Sequence, residues 1–187
     1  MKPVQFSERD HDLVSAAVME AEKQTSGEIV PIVARRSDAY HDVGLHWAIG
    51  TVFVALAFFA FFPDYLRDLA GRLLGDWDHQ VADWKMLTIL LGDLILDFLV
   101  VRYLLAIMPL RMALTPRATK ARRVRRRAIL LFRAAAEART AGRTGVLIYL
   151  SLDEHRAEIV ADKAINDRVT PEAWGEAMAL LIDAVRD

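Results

Sequence analysis

The chain has 187 residues, of which 54% are hydrophobic and 26% charged, and its formal net charge is −1. This length allows one compact domain together with a short membrane insertion. The absence of cysteine excludes disulfides, thiol catalysis and cysteine-ligated metal centres. The net charge does not indicate a partner, because charged residues concentrate in the flanks and apolar residues in the middle of the chain.

The first predicted elements are a helix and a strand. The N-terminus lacks the apolar stretch of a signal peptide, so we do not expect export by that route. Ser7 and Asp10 have the spacing of a capping box, which predicts a helix start. Residues 28–35 are short and rich in β-branched side chains, which predicts a strand. Pro31 places this strand at an edge or a bulge, because proline donates no ladder hydrogen bond.

Two apolar segments follow and predict a transmembrane helical hairpin over residues 45–110. Residues 46–62 contain no Asp, Glu, Lys or Arg, and residues 86–108 form a second, longer apolar run. A helix needs about 20 residues to cross roughly 30 Å of hydrocarbon. We therefore expect spans at about 46–62 and 86–108, joined by an extracytoplasmic loop at 63–85.

The distribution of charge predicts the orientation of this hairpin. Residues 111–136 contain nine basic residues and no acidic one, whereas residues 64–85 contain three basic residues and five aspartates. Basic residues close to a span keep their side of the membrane cytoplasmic, so both termini are predicted to be cytoplasmic. The arginines of 122–127 lack interleaved aromatic residues, which favours contact with anionic lipid headgroups over nucleic acid.

The remaining chain predicts a helix, two strands and a last helix. Thr115-Pro116 and Thr170-Pro171 have the form of helix starts, and residues 146–151 and 156–161 read as a strand pair joined by a turn. Residues 1–44 and 111–187 together are long enough for one hydrophobic core. We expect them to form one split α/β domain, an α/β/α sandwich around a small mixed sheet.

The segments Thr25–Tyr40 and Arg143–Asn166, with Phe6-Ser7, Ala128–Phe132 and Trp174, resemble the TPM-domain family in its short bacterial form with an inserted membrane hairpin. The resemblance implies an α/β/α sandwich in a bacterial inner membrane. It also implies a domain rather than a reaction, because members have been linked to phosphatase activity, divalent-ion binding and regulation. The family pattern leads us to expect a further helical stretch beyond Asp187.

Polar residues after two predicted strands suggest a ligand site. The carboxyl ends of parallel strands meet at one edge of a sheet, which is where ligands bind in open α/β folds. Arginine forks there would suit a phosphorylated ligand or a lipid headgroup. Alternatively, the arginines serve only the orientation of the hairpin. The candidate ligand-binding residues are Arg35, Arg36, Asp38 and Tyr40, opposite Ser151, Asp153 and Glu154.

Carboxylates in the second half of the chain suggest a Ca²⁺ or Mg²⁺ site, because these ions prefer oxygen ligands. The candidate metal ligands are Asp153, Glu154, Asp162 and Asp167. No EF-hand spacing occurs among them, so solvated turn carboxylates are the alternative, and no cofactor is certain. We assign no catalytic residue, because the sequence shows no nucleophile–histidine pair, phosphate-binding glycine loop or HExxH motif.

The second apolar segment carries three charged residues, Asp93, Asp97 and Arg102. A charge at the bilayer centre costs about 2.5–3.5 kcal/mol, so the aspartates need a partner or water. Arg102 lies roughly 140° around the helix from Asp97, which disfavours a salt bridge within the helix. We therefore expect pairing between protomers of a homo-oligomer or with another membrane protein; the alternative is a marginal span with unused carboxylates.

These patterns favour an integral membrane protein whose cytoplasmic domain is a non-catalytic binding or regulatory module. A divalent-metal-dependent phosphatase is an alternative that rests on the family resemblance alone. A small oligomeric subunit of a channel or transporter, using Asp93 and Asp97, is the other alternative.

Overall fold

The computed structural model describes residues 7–23, 27–74, 82–137 and 145–186, and it divides the chain into two compact units. The α/β unit consists of residues 1–39 and 116–187, and the helical unit of residues 40–115. The sequence predicts these two boundaries after residue 44 and before residue 111. Each predicted boundary is five residues inside the helical unit that the structure defines.

The two units are built from helices and one small sheet, in agreement with the predicted mixed α/β class. In chain order the elements are α1 (Glu8–Glu22), β1 (Glu28–Ala34), α2 (His41–Phe61), α3 (Pro63–Leu74), α4 (Asp83–Leu104), α5 (Met108–Leu114), α6 (Arg117–Glu137), β2 (Gly145–Ser151), β3 (Arg156–Ala161), α7 (Lys163–Asn166) and α8 (Pro171–Arg186).

The sheet of the α/β unit has the order β1-β2-β3. Strand β1 runs parallel to β2, with Ala34 opposite Ser151, and β2 runs antiparallel to β3, with Ser151 opposite Arg156. The predicted mixed sheet is therefore confirmed. Pro31 lies in the edge strand β1, as its missing N–H group requires.

The core of the α/β unit lies between β2 and α6. Alternate residues of β2 are buried, and Leu147 and Tyr149 are completely covered together with Val124 and Ala128 of α6. Successive side chains of a strand point to opposite faces, so alternate residues share one face. Helix α8 covers the other face, where Ile159 of β3 lines a small cavity with Trp174 and Met178 of α8.

The start of α1 has the predicted capping box. The Asp10 N–H group donates to the Ser7 hydroxyl at 3.2 Å, and the Ser7 N–H group donates to the Asp10 carboxylate at 2.9 Å. These bonds satisfy donors that have no partner within the helix. Helix α8 likewise begins at Pro171, directly after Thr170, as the sequence predicts.

In the helical unit, α2 and α4 pack against each other in opposite directions. A Cβ atom at Gly44, near the start of α2, would lie 3.5 Å from the Cβ atom of Leu105, the residue after α4. Helix α3 packs against both and buries Leu66 and Ala70. The segment predicted as a loop at 63–85 therefore begins with a helix. Pro63 at its first position and the spacing of the two buried residues are the local signals.

The second apolar run is interrupted in the structure, because α4 ends at Leu104 and α5 begins at Met108. Pro109 has no N–H group to donate to the carbonyl of Leu105, four residues earlier. The Arg111 Nε–H group donates to that carbonyl instead, at 2.7 Å. Arg111 is only 3% exposed. This residue of the predicted basic flank is therefore buried inside the helical unit.

Candidate functional site

A buried polar network joins the carboxyl end of β1 to the turn between β2 and β3. Glu154 is 6% exposed, and its carboxylate accepts the Ser37 N–H group at 2.9 Å and the Ser151 hydroxyl. The Ser37 hydroxyl donates to Ser151 at 3.1 Å and also lies 3.1 Å from the Tyr149 hydroxyl. A satisfied network of this kind fixes local geometry, because each member is costly to leave unpaired.

The predicted arginines lie at the same edge of the sheet. The Nε atoms of Arg35 and Arg36 lie 3.7 Å and 3.9 Å from the two carboxylate oxygens of Asp153. The Asp153 N–H group donates to the carbonyl of Arg35 at 2.8 Å. The carboxylate of Asp38 pairs with Arg123 of α6 at 2.9 Å. The strand ends thus meet as expected, and these charges form ion pairs within the unit.

Tyr40, the fourth predicted ligand-binding residue, belongs to the helical unit. It precedes α2 with a φ angle of 52°, in the left-handed region. Its side chain is fully buried in a cluster with Val43 and Met112. Tyr40 therefore has a packing role within that unit.

The four predicted metal ligands lie at different places in the α/β unit. Asp162 accepts the Gly145 N–H group at 2.7 Å at the start of β2, whereas Asp153 and Glu154 follow its end. A strand rises about 3.4 Å per residue, so these ends are roughly 20 Å apart. Asp167 pairs with Lys163 at 2.8 Å. Within the described residues, no group of three or more His, Asp or Glu side chains could hold a metal ion.

A basic pocket, which the sequence analysis did not single out, lies beside the β2–β3 turn. It has a volume of about 470 Å³. Its basic lining consists of Arg117 and Lys120 from the first turn of α6 and Arg156 of β3, and His155 of the turn lies beside them. The one sequence signal for this pocket is the spacing of Arg117 and Lys120, which puts them one helical turn apart on the same face. Their proximity to the β2–β3 turn depends on the tertiary fold.

Glu158 of β3 has a perturbed acidity. It lies opposite Tyr149, on the face of the sheet that packs against α6. Partial burial raises the pKa of its carboxyl group above the ordinary value of 4.5, and the nearby Arg125 and Arg156 oppose this shift.

The helical unit exposes apolar side chains around α2. Among the described helices, α2 is the one that is long and apolar enough to cross a membrane. Phe53, Val54 and Phe61 on its surface are 65%, 70% and 81% exposed. Helix α4 also exposes large apolar side chains, including Leu87 at 64% and Leu96 at 60%. It differs from α2 in composition, because its apolar stretch contains Asp93, Asp97 and Arg102.

Those charges occupy distinct environments. The Oδ2 atom of Asp97 is buried and has no hydrogen-bond partner among the described residues, and Asp93 is half-buried. The guanidinium of Arg102 lies 3.8 Å from where a Cβ atom of Gly44 would be, beside the start of α2. In the part of the chain that the structure describes, Arg102 forms no ion pair with Asp97, as the helical spacing predicted.

The structure defines a protein with a mixed α/β unit and a helical unit whose described residues include one helix long and apolar enough to cross a membrane. No family model matches the chain, and no curated protein or solved structure matches it. The resemblance to the TPM-domain family therefore stays a prediction.

Proposed function

We propose that this chain is an integral membrane protein whose α/β unit is a non-catalytic binding or regulatory module on the cytoplasmic face. The observation that carries the proposal is the apolar surface of α2. An apolar helix that is only 22% buried over its most apolar 18 residues leaves most of that surface outside the chain. A lipid bilayer is the environment in which such an exposed apolar surface is stable.

Helix α4 supplies the second span in this proposal. Its 22 residues meet the length that a bilayer requires. Arg102 is near its end, from where a long side chain reaches the headgroup region while its stem stays in the apolar layer. Two spans return the chain to the side from which it left, so both parts of the α/β unit lie on one face of the membrane.

The exposed arginines of α6 support the cytoplasmic location. Arg122, Arg125, Arg126 and Arg127 are all exposed on the helix that follows the helical unit. Each basic residue held near an anionic leaflet contributes about 1 kcal/mol of attraction. The lipid bilayer is accordingly the first partner in this proposal, and a second copy or another membrane protein is the next.

A binding or regulatory role fits the polar edge of the sheet better than catalysis does. The carboxylate of Glu154 is held by Ser37 and Ser151, and Asp153 lies between two arginines. Hydrolysis by a metal-activated water needs carboxylates that converge on an ion. Asp162 is at the opposite end of β2, which argues against the phosphatase alternative.

Cysteine labelling tests the topology directly, because the chain contains no native cysteine. We expect Arg72→Cys in α3 to react with a membrane-impermeant maleimide in intact cells. Glu20→Cys in α1 and Glu176→Cys in α8 should react only after permeabilisation. All three side chains are exposed, so detergent-solubilised protein provides the control for reactivity. Labelling of all three from the same side, or release of the chain by alkaline wash, would contradict the proposal.

The buried oxygen of Asp97 supports a second candidate, an oligomeric subunit of a channel or transporter. A carboxyl group inside a span needs a hydrogen-bond partner or water, and a second copy could supply it. Asp93→Leu with Asp97→Leu should then weaken cross-linked oligomers and abolish any ion flux in vesicles. Asp68→Leu, on the surface of α3, is the matched control. Unchanged cross-linking in the double variant would rule out oligomerisation through these residues.

A further inference from the structure

The basic pocket is formed by three elements of the α/β unit. The first turn of α6 contributes Arg117 and Lys120, and the β2–β3 turn and the start of β3 contribute His155 and Arg156. Ile182 of α8 adds an apolar wall. The volume of about 470 Å³ lies in the range of pockets that hold small molecules.

The charge that this pocket presents is positive. Two arginines and one lysine carry permanent charge, and Glu154 is the single carboxylate in the lining. That carboxylate already accepts hydrogen bonds from Ser37 and Ser151 inside the buried network. Its negative charge is therefore partly compensated from within, and the guanidinium and ammonium groups dominate the pocket.

The backbone around the pocket is held in place. His155 has a φ angle of 49°, in the left-handed region, and its N–H group donates to the carbonyl of Leu152 at 3.1 Å across the turn. The Arg156 guanidinium lies 3.4 Å from the carbonyl of Arg117, which links β3 to the start of α6. The cationic groups thus sit on a fixed frame, which lowers the entropic cost of binding.

We propose that this pocket binds a phosphate-bearing polar group. Arginine pairs with phosphate oxygens through two parallel hydrogen bonds, and lysine adds a point charge. The volume exceeds that of phosphate alone, so the ligand carries a small polar substituent, as a phospholipid headgroup or a soluble phosphate ester does. A lipid headgroup as the ligand rests on the proposed function, in which the helical unit lies in the membrane. Arg117 is two residues after the end of that unit.

The test uses the full chain solubilised in dodecyl maltoside, a detergent that contains no phosphate group. Two probes are titrated separately: inorganic phosphate, and water-soluble dihexanoyl-phosphatidylglycerol. Chemical-shift changes of the His155 imidazole report binding at the pocket and give the Kd. Lys120→Gln removes one lining charge, whereas Arg127→Gln removes one exposed charge from the same helix outside the pocket.

We expect Lys120→Gln to weaken the Kd of the bound probe about tenfold, as the loss of one charge-assisted hydrogen bond implies. Arg127→Gln should change it less than about twofold, in keeping with an exposed charge. Tighter binding of the lipid identifies a headgroup as the ligand, and equal or tighter binding of phosphate identifies a soluble ester. Arg156→Gln provides a second lining variant if Lys120→Gln does not fold.

Two results would overturn the proposal. One is the absence of any His155 response to both probes. The other is an equal loss of affinity in Lys120→Gln and Arg127→Gln, which would show diffuse attraction to the whole helix. Cysteine labelling separates this outcome from failure of the proposed function. A chain that binds phosphate in the pocket but is not embedded in a membrane retains the site and loses only the headgroup source.

Discussion

Asp153 and Glu154 are adjacent carboxylates in one turn, and their surroundings give them different roles. Asp153 is partly exposed, and its contacts with Arg35 and Arg36 are 3.7 Å and 3.9 Å long. Glu154 is buried and accepts the Ser37 N–H group at 2.9 Å. Exposed ion pairs contribute little to stability, whereas an unpaired buried donor costs about 1–3 kcal/mol.

Glu154→Ala should therefore lower the local unfolding free energy of the α/β unit by about 2–3 kcal/mol, because Ser37 and Ser151 both lose their acceptor. Asp153→Ala, the matched variant from the same turn, should lower it by less than about 1 kcal/mol. Hydrogen exchange of the β2 amides in the full chain measures both values. Equal losses would show that the buried network is not a stabilising feature.

Glu158 gives the α/β unit a defined pH dependence. Burial raises the pKa of its carboxyl group above 4.5, so the folded state binds this proton more tightly than the unfolded state does. The contribution of Glu158 to stability is therefore greatest below this value and falls as pH rises through the folded pKa. Arg125 and Arg156 reduce the effect without reversing it.

Glu158→Gln removes this titration. We expect its melting temperature to exceed that of the wild type by an amount that grows from about pH 4 to about pH 7. Glu172→Gln, at an exposed position of α8, controls for the change in net charge. A difference that shrinks as pH rises would mean that the two arginines, rather than burial, dominate the environment of Glu158.

At the scale of elements, the sequence predicts what depends on periodicity and misses what depends on contacts made elsewhere in the chain. The capping box of α1, the edge position of Pro31 and the central strand β2 are all local patterns, and the structure has them. The sequence predicts a loop where α3 lies, because this short amphipathic stretch is between two long apolar runs. Its buried side chains make sense only once α2 and α4 are packed.

The candidate sites divide in the same way. The meeting of Arg35 with Asp153 follows from parallel pairing, which the strand order already implied. The burial of Tyr40 and Arg111 could not be predicted, because it depends on the turn before α2 and on the carbonyl that Pro109 leaves without a donor. The basic pocket likewise needs the tertiary fold that brings His155 to Lys120.

The packing of α2 on α4 limits the size of the side chain at position 44. A Cβ atom there would make an ordinary contact with Leu105 at 3.5 Å, so only a larger side chain is excluded. Gly44→Leu should destabilise the detergent-solubilised chain by about 1–3 kcal/mol, because the larger side chain forces the helices apart. The measurement is a lower melting temperature. Gly50→Leu, in the same helix with open space around its Cβ position, should not lower it. Equal losses of stability in the two variants would show that the start of α2 does not pack closely against Leu105.

At the scale of the whole molecule, the α/β unit has a core of its own although the chain enters it twice. Val30 of β1, from the first segment, packs against the cluster of Val124 and Leu147, from the second. Strands β1 and β2 pair along their full length. Asp38, near the end of the first segment, also forms an ion pair with Arg123 of the second segment. The hydrophobic and hydrogen-bonding contacts that join the segments therefore do not require residues of the helical unit.

Replacing residues 40–115 with a flexible glycine-serine linker should consequently leave a folded, water-soluble α/β unit. Loop closure costs only about 0.6 kcal/mol for each doubling of linker length, so several lengths are expected to succeed. The measurement is a dispersed amide NMR spectrum with cross-strand contacts between Val30 and Leu147. The same variant carrying Leu147→Ala, which opens a cavity in the shared core, should lose about 2–5 kcal/mol of stability and serves as the control. A soluble chain without those contacts would show that β1 needs the helical unit to pair, and that the two units fold as one.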